Sequence, residues 1–381
     1  MLSLLSLQVL LQPLVKSSGK ILRENPQGIL RYQEKPRVNP DTGLDTELAL
    51  PLADASAAAV AACRLVAVVV TFNRLDKLKA TLARLLESPE AELAAVVVVD
   101  NASTDETADW LAGQQDARLD IVTSPVNRGG AGGFEMGMRR AVEAHDPDWL
   151  VVMDDDARPA PGAFAAFHAQ PRPLDTALAA AVYFPDGGIC EMNRPSVNPF
   201  WNPRVFLRTL FKARNGYHIP YDSYEATTPM AIDLTSFVGL FLSRRMIEEA
   251  GYPDPGLFLY GDDVIYTLRL RRQGERILFD PALRFEHDCS TFQNDHHRVF
   301  HPLWKVYYAY RNGLMMYRAA AGLLFWPLLL VVVLKWSFTA RRYGAERQSY
   351  RRLLRHAVWD ALRGDTRRTH AQVMALAQVK D

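Results

Sequence analysis

Val151-Val152-Met153 runs directly into Asp154-Asp155-Asp156. The β-branched pair and the methionine read as the end of a buried strand. Adjacent carboxylates cannot be buried unpaired, so the aspartates must stand at the mouth of that strand, facing solvent or a cation. In an extended chain alternate side chains share a face, which sets Asp154 and Asp156 one way and Asp155 the other. Two hard oxygen ligands on one face suit Mg²⁺ or Mn²⁺, above all where a phosphate supplies further ligands. The plainer alternative is a solvated acidic turn or a helix cap.

A second acidic pair, Asp262-Asp263, follows the apolar run Phe258-Leu259-Tyr260 and Gly261. Helical spacing predicts a helix over 264–273 with Asp263 at its opening. One aspartate would satisfy a helix N-cap, and the other is then available for proton chemistry. Asp262 is expected to cap the helix or orient an acceptor, and Asp263 to be kept ionised by the helix dipole. Farther on, Arg284-Phe285-Glu286-His287 ends another apolar stretch. His287 is either a satisfied surface histidine or the nitrogen ligand completing a two-carboxylate metal site.

The elements that must carry these groups alternate. Leu65 to Val70 and Leu93 to Val99 are apolar runs of buried-strand length, Leu119 to Val122 is a weaker one, and Trp149 to Met153 is the fourth. Leucines at 75, 78, 82, 85 and 86 repeat at helical spacing. Ser103-Thr104-Asp105-Glu106 reads as a capping box for a helix through Leu111. The run 127–133, Asn-Arg-Gly-Gly-Ala-Gly-Gly, reads as a loop before a helix from about Phe134 to Ala144. Such alternation predicts an α/β fold with a mainly parallel, doubly wound, Rossmann-like sheet, which binds ligands at the carboxyl ends of its strands. The polar punctuation falls there: Thr71, Asn73, Asp100, Asn101, Arg128 and the aspartate triplet. A dinucleotide-binding fingerprint would follow the first strand, whereas these glycines follow the third. They either permit close helix–sheet packing or present amides to a phosphate. Thr235 to Leu242 reads as a strand returning to the sheet, and Arg244 to Ala250 as a helix ended by Gly251. Tyr183, Phe200, Trp201, Tyr217, Tyr221 and Tyr224 are core residues or a wall for a sugar ring.

Composition narrows the class. With 381 residues, 49% apolar and 23% charged, the chain is globular, and a net charge of +1 gives no field directed at nucleic acid. Cys63, Cys190 and Cys289 form no disulfide framework and suit a reducing compartment. The apolar residues 1–15 lack a preceding Lys or Arg and are interrupted by Gln8, Gln12 and Pro13, so no cleaved leader is expected. Their alternation is closer to a half-buried strand. Proline-punctuated residues 1–62 form an N-terminal extension, 63–290 the catalytic domain and 291–381 a helical C-terminal region.

These motifs together resemble glycosyltransferase family 2, the GT-A fold. The matching stretches are Val-Thr-Phe-Asn-Arg at 70–74, Val-Asp-Asn-Ala-Ser at 99–103, Asn-Arg-Gly-Gly at 127–130, Asp154-Asp155-Asp156 and Gly261-Asp262-Asp263. The Gly-Gly-Ala-Gly-Gly-Phe run and a histidine after the second acidic pair bring the chain closest to bacterial galactofuranosyltransferases, although Gly261 stands where those enzymes place a tryptophan. The resemblance implies an inverting, metal-dependent transfer of galactofuranose from UDP-galactofuranose to a cell-surface or lipid-linked glycan. It implies Asp154, Asp156 and His287 as ligands of Mn²⁺ or Mg²⁺. Thr71, Asn73, Arg74, Asp100, Asn101, Arg128, Gly130, Asp154 and Asp155 would hold the donor. Asp263 would be the general base, with Asp262 beside it. A rhamnosyltransferase using dTDP-rhamnose and a non-catalytic nucleotide-sugar-binding protein are the alternatives.

The C-terminal region opens with Leu303-Trp-Lys-Val-Tyr-Tyr-Ala-Tyr-Arg-Asn312, similar to a segment that follows the catalytic domain in rhamnosyl- and galactofuranosyltransferases. Ala319 to Leu334 then holds no polar residue, with Pro327 expected to kink it, and arginines crowd the stretch from Arg341 to Arg368. As one helix this run is short of a ~30 Å hydrocarbon core. An apolar segment beside a basic one predicts a peripheral or monotopic contact with the anionic cytoplasmic face of the cell membrane. Burial inside a homo-oligomer is the other way to cover it.

Overall fold

The computed structural model describes residues 63–289 and 299–378. The expected strand near the N-terminus lies outside them. Among the described residues the strands are β1 Leu65–Thr71, β2 Ala95–Asp100, β3 Leu119–Thr123, β4 Trp149–Asp154, β5 Ala157–Pro159, β6 Thr176–Tyr183, β7 Met230–Ile232, β8 Leu240–Ser243 and β9 Arg276–His287. They form a nine-stranded sheet in the order β3-β2-β1-β4-β8-β6-β9-β5, with β7 also on β9. The β3-β2-β1-β4 half is parallel, as is β6 on β9, while β8 joins the halves by antiparallel pairing. It is the mixed, largely parallel α/β arrangement that the alternating pattern predicts.

Both faces of the sheet are covered, which explains why β1 is apolar at each position from Leu65 to Val70 rather than at alternate ones. Val66, Val68 and Val70 pack with Phe134 and Met138 on one face. Leu65, Ala67 and Val69 pack with Leu78, Leu82 and Leu85 on the other. The helices are α1 Leu75–Leu86, α2 Thr107–Ala112, α3 Gly129–His145, α4 Ala163–His168, α5 Pro203–Lys212, α6 Arg244–Ala250, α7 Asp262–Arg272, α8 Lys305–Ala321, α9 Phe325–Thr339, α10 Arg347–Arg363 and α11 His370–Ala377.

Several local expectations change. The glycine run is no loop: α3 starts at Gly129. A Cβ on Gly133 would lie 2.4 Å from Val70 Cγ1, and one on Gly137 would lie 2.5 Å from Val68 Cγ1, so these glycines let the helix sit down on β1. The capping box does not form. Thr107 N donates to Asp105, while the Ser103 hydroxyl accepts from Asn73 N. Nor is Asp262 a cap: Gly261 occupies the N-cap of α7 with φ 75°, and both aspartates lie in the first turn. The apolar run from Ala319 is split rather than kinked. Gly322, at φ 55°, ends α8, and Pro327 falls in the first turn of α9, where its missing N–H costs nothing. Segment 305–363 includes a window apolar enough to cross a membrane, but Gly322 and Gly344 divide it into α8, α9 and α10.

The C-terminal helices build their own core around Tyr307, Tyr350, Leu353 and Val332. They also reach back into the sheet domain. The fully buried Arg311 donates to the Gly256 and Leu257 carbonyls.

Candidate active site

Strand register assembles the site. Val70 pairs with Asp154 and Thr71 with Asp100, so the polar ends of β1, β2 and β4 come level. On the other side of the sheet Ala157 pairs with His287, which lays the histidine beside Asp156 across a chain distance no local pattern encodes. The facing ligand atoms of Asp154, Asp156 and His287 lie within 4.8 Å of one another. His287 is buried, so it is not the surface histidine that the sequence also allowed.

Asp155 turns the other way, as strand alternation predicts, and is held from two directions. Thr71 Oγ1 donates to its Oδ2 at 2.8 Å and Arg74 Nη1 to its Oδ1 at 2.9 Å. The second nitrogen of the same guanidinium pairs with Asp156 Oδ2 at 2.5 Å. Thr81, buried on α1, donates its hydroxyl to the Asp155 carbonyl at 2.7 Å. Thr71 and Arg74 therefore help shape the aspartate turn. Asn73, at φ 54°, accepts from Thr104 N through its Oδ1. Asp100 accepts from Ser103 N. Asn101 donates to the Gly129 carbonyl and accepts from Arg128 N, tying the tip of β2 to the start of α3. Arg128 is part-exposed, with Glu135 at 3.7 Å. Gly130 has open space where a Cβ would stand, unlike its neighbour Gly129, which lies against Phe258.

The site carries more negative charge than it neutralises. Burial, and then the charge of Asp156, push the Asp154 carboxyl up to about 7. Burial also lifts Asp155 to about 6 against the pull of Arg74 and Thr71. For Asp156 burial works against ionisation, but the His287 hydrogen bond and charge together with Arg74 outweigh it and hold the carboxyl below its ordinary value.

The donor set fits a divalent cation by its hydrogen bonding. Asn193 Nδ2 donates to Ser236 Oγ at 2.8 Å, which turns its Oδ1 toward His287 Nδ1 at 2.7 Å. With Nδ1–H given to Asn193, Nε2 is the ring nitrogen that meets Asp156 Oδ1 at 3.2 Å, and its proton there is the one a hard cation would replace, with Asp154 alongside. Nothing in the Met192-Asn193-Arg194 stretch marks Asn193 out in the sequence.

Asp262 and Asp263 open α7 nearby. Burial, followed by the Asp263 charge, raises Asp262 to about 8, and the charge of Asp154 adds to the rise. Burial raises Asp263 as well, against the pull of the Val264 backbone hydrogen bond. Asp263 Oδ1 accepts from Val264 N. Asp263 lines a pocket with Asn193, Arg194, His218, Thr235, Ser236 and Met316. His218 there is held neutral, its value pushed to about 3 by burial and by Arg214 and Arg194. Of the aromatic residues considered for a sugar wall, Tyr217 also lines this pocket but is itself buried, Tyr224 belongs to the core, and Trp201 and Tyr221 face outward.

Known proteins bear on this geometry. The chain is 28% identical over 230 residues to the galactofuranosyltransferase GlfT1 of Mycolicibacterium smegmatis, covering 59% of this chain and 71% of that one. It is 27% identical over 231 residues to the undecaprenyl-phosphate mannosyltransferase of Micrococcus luteus, covering 60% of this chain and 86% of that one. A solved structure, GalNAc-T7 with UDP, GalNAc and Mn²⁺, aligns at 15% identity and a TM-score of 0.49 over 67% of this chain and 48% of its own. The Glycosyl transferase family 2 model matches residues 66–222, the stretch that holds β1 to β4, the aspartate triplet and Asn193.

Proposed function

We propose that the chain is an inverting, metal-dependent galactofuranosyltransferase, moving galactofuranose from UDP-galactofuranose to a glycan or lipid-linked glycan. The observation that carries this reading is that Asn193 links two acidic groups: its Oδ1 meets His287 of the Asp154, Asp156 and His287 cluster, and it lines the pocket that holds Asp263. The galactofuranosyltransferase relative supports the sugar.

Asp154, Asp156 and His287 would hold Mn²⁺ or Mg²⁺, which would supply positive charge to offset the negative charge developing on a leaving diphosphate. Arg74 keeps Asp156 oriented, and Asn193 keeps the His287 ring oriented. Arg128, at the N-terminus of α3, would offer its guanidinium to a diphosphate. On the opposite side an acceptor hydroxyl in the Asp263 pocket attacks the anomeric carbon. Its proton passes to the Asp263 carboxylate, the new C–O bond forms, and the bond to the diphosphate breaks with its electron pair. A carboxyl raised by burial is a stronger proton acceptor once ionised, which suits Asp263 to that step.

The apolar, arginine-flanked α9 and α10 support a peripheral or monotopic place on the cytoplasmic face of the membrane. Leu323, Trp326, Leu330 and Phe338 are exposed there. The Micrococcus luteus relative favours a second reading, mannose transfer to a polyprenyl phosphate.

The deciding experiment measures nucleoside diphosphate release from UDP-galactofuranose, dTDP-rhamnose and GDP-mannose with a galactofuranose-terminated disaccharide or a polyprenyl phosphate as acceptor. Release only from UDP-galactofuranose with the disaccharide supports the proposal. Release only from GDP-mannose with the polyprenyl phosphate moves the assignment to the second reading, and donor binding without release on any pair removes catalysis.

A further inference from the structure

Helix α5, Pro203–Lys212, had no counterpart in the sequence pattern, and its outer face is unusual. Asn202 caps it through the amides of Arg204 and Val205. Val205 and Thr209 face inward, and Thr209 lies so close to Gly216 that a Cβ there would stand 2.4 Å from its Cα. On the outer side Leu207 and Phe211, one turn apart, are 56% and 80% exposed, and Trp201 just before the helix is also exposed. The stretch 202–214 contains Arg204, Arg208, Lys212 and Arg214 and no acidic residue. Arg208 and Arg214 turn back to the Gly216 carbonyl and to His218, and Lys212 is exposed beside the apolar pair.

The position of α5 matters as much as its face. Its C-terminal end leads to Tyr217 and His218, which line the Asp263 pocket. Phe200, ahead of it, packs with Val264 and Leu268 of α7 and with Met316 and Ala320 of α8. Asn198 Nδ2 donates to the Ala320 carbonyl at 3.1 Å. Just past Ala320 the chain exposes Leu323 and Trp326 at the start of α9. Large apolar side chains ringed by cations, on a helix with no acids, match the headgroup–acyl boundary of an anionic bilayer and nothing in bulk water.

We propose that α5 is a second membrane-contact helix, lying in the interface of an anionic bilayer and turning the Asp263 pocket toward it, so that a lipid-linked acceptor reaches the pocket without leaving the membrane. The acceptor half rests on the glycosyltransferase reading, while the lipid contact does not.

The test uses the full chain with vesicles of phosphatidylcholine alone and with phosphatidylglycerol added. L207E/F211E should weaken sedimentation with the mixed vesicles by ~10-fold or more, the loss expected from two apolar side chains, and α9 should sustain the remainder. Since both side chains are exposed, the melting temperature should stay that of the parent. K212E should weaken the preference for phosphatidylglycerol, the arginines beside α9 keeping part of it, while retaining binding to phosphatidylcholine. For transfer, L207E/F211E should lower kcat/KM on a galactofuranose disaccharide with a hexadecyl tail in vesicles and leave its methyl glycoside unchanged. Parent-like vesicle binding by L207E/F211E overturns the proposal. So does a parent dimer that L207E/F211E splits without altering vesicle binding, which would make this face an interface between copies. If the parent binds vesicles through α5 yet transfers no sugar, the lipid contact stands and the glycosyltransferase reading falls.

Discussion

Asn312 Nδ2 lies 2.9 Å from the carbonyl oxygen of Tyr260, the residue that precedes the Gly261 N-cap of α7. The same amide also reaches the Leu257 and Leu259 carbonyls. The backbone it holds is strained: Phe258, Tyr260 and Gly261 take φ values of 65°, 72° and 75°. Strain of this kind persists only where surrounding contacts over-determine it. Helix α8 thus supplies the clamp that aims Asp262 and Asp263. Asn312→Leu should leave buried carbonyls unpartnered, at about 1–3 kcal/mol for each group not rescued by water. Turnover should fall more than donor affinity does. Thermal unfolding and calorimetric donor titration check both, and parent-like turnover in a folded variant would remove the clamp role.

The glycines of α3 divide into two kinds, and substitution separates them. Gly133→Ala places a methyl 2.4 Å from Val70 Cγ1, so α3 must lift from β1. Overpacking of this sort costs about 1–3 kcal/mol. Gly130→Ala meets nothing within 4 Å. It should be neutral or stabilising by about 0.5–1 kcal/mol, since alanine is the better helix former. If the donor phosphates approach the α3 N-terminus, Gly130→Ala raises the donor KM although stability does not suffer. Urea midpoints and donor KM values for the two variants test the division. A Gly130→Ala chain less stable than Gly133→Ala would reverse it.

Stability should depend on pH through the acidic pair. Asp262 is raised to about 8, so in the folded chain it keeps its proton where an unfolded aspartate has lost it. The folded state then binds more protons than the unfolded one between an ordinary carboxyl value of ~4 and about 8. Stability from this group falls as pH rises through that window and levels off above it. His218, depressed to about 3, acts in the opposite sense but only up to the ordinary histidine value of ~6.5. Between those two limits the parent, in chelator, should lose stability with rising pH, and Asp262→Asn should lose less. Denaturant unfolding at stepped pH reads the slopes. A parent whose stability climbs toward pH 8 more steeply than that of Asp262→Asn would contradict the assignment.

Much of the sheet domain was readable because its signals are local. The apolar strands β1, β2 and β4, the helix at Leu75 and the opposite facing of Asp154 and Asp155 follow from runs and periods. The start of α3 was misplaced because glycine usually marks loops, and only the packing against Val70 shows why it is used in a helix here. Long-range hydrogen bonding was not legible. Asn193 touching His287 and Thr81 touching Asp155 depend on register across the sheet, and nothing near either residue announces it. Asn312 did have a signal, a polar pair inside an otherwise apolar helix, which on its own says that something is being held but not what.

The cation can be tested without any substrate. Mn²⁺ titrated into chelator-treated protein should raise the melting temperature, because an ion bound only by the folded state stabilises it by mass action. Asp154→Asn and Asp156→Ala each remove a carboxylate from the cluster with His287 and should abolish the rise. Asp155→Asn, whose carboxyl faces Thr71 and Arg74, should keep it even if the baseline stability drops. An equal Mn²⁺ response in all of these variants would place the ion elsewhere. Transfer should likewise stop in chelator and return with Mn²⁺ or Mg²⁺ for the parent but not for Asp156→Ala.

The final prediction concerns the proton. An acceptor hydroxyl is a poor nucleophile at neutral pH unless a carboxylate takes its proton as the new bond forms. The carboxylates at Asp154 and Asp156 face His287 and would lie on the leaving-group side. Asp155 is buried against Arg74 and Thr71. Of the acidic residues in the two motifs, Asp263 is the one that lines the pocket on the other side. Asp263→Asn preserves shape and the hydrogen bond from Val264 N while removing the acceptor of the proton. It should leave donor affinity nearly intact and lower turnover by on the order of 10²-fold or more. Asp262→Asn should do less to turnover and more to acceptor KM. Because burial raises Asp263, the parent's turnover should rise with pH until that carboxyl is ionised, and Asp263→Asn should lose this limb of the profile. Turnover near the parent's in Asp263→Asn, with the limb intact, would sink the assignment and move the base to Asp262.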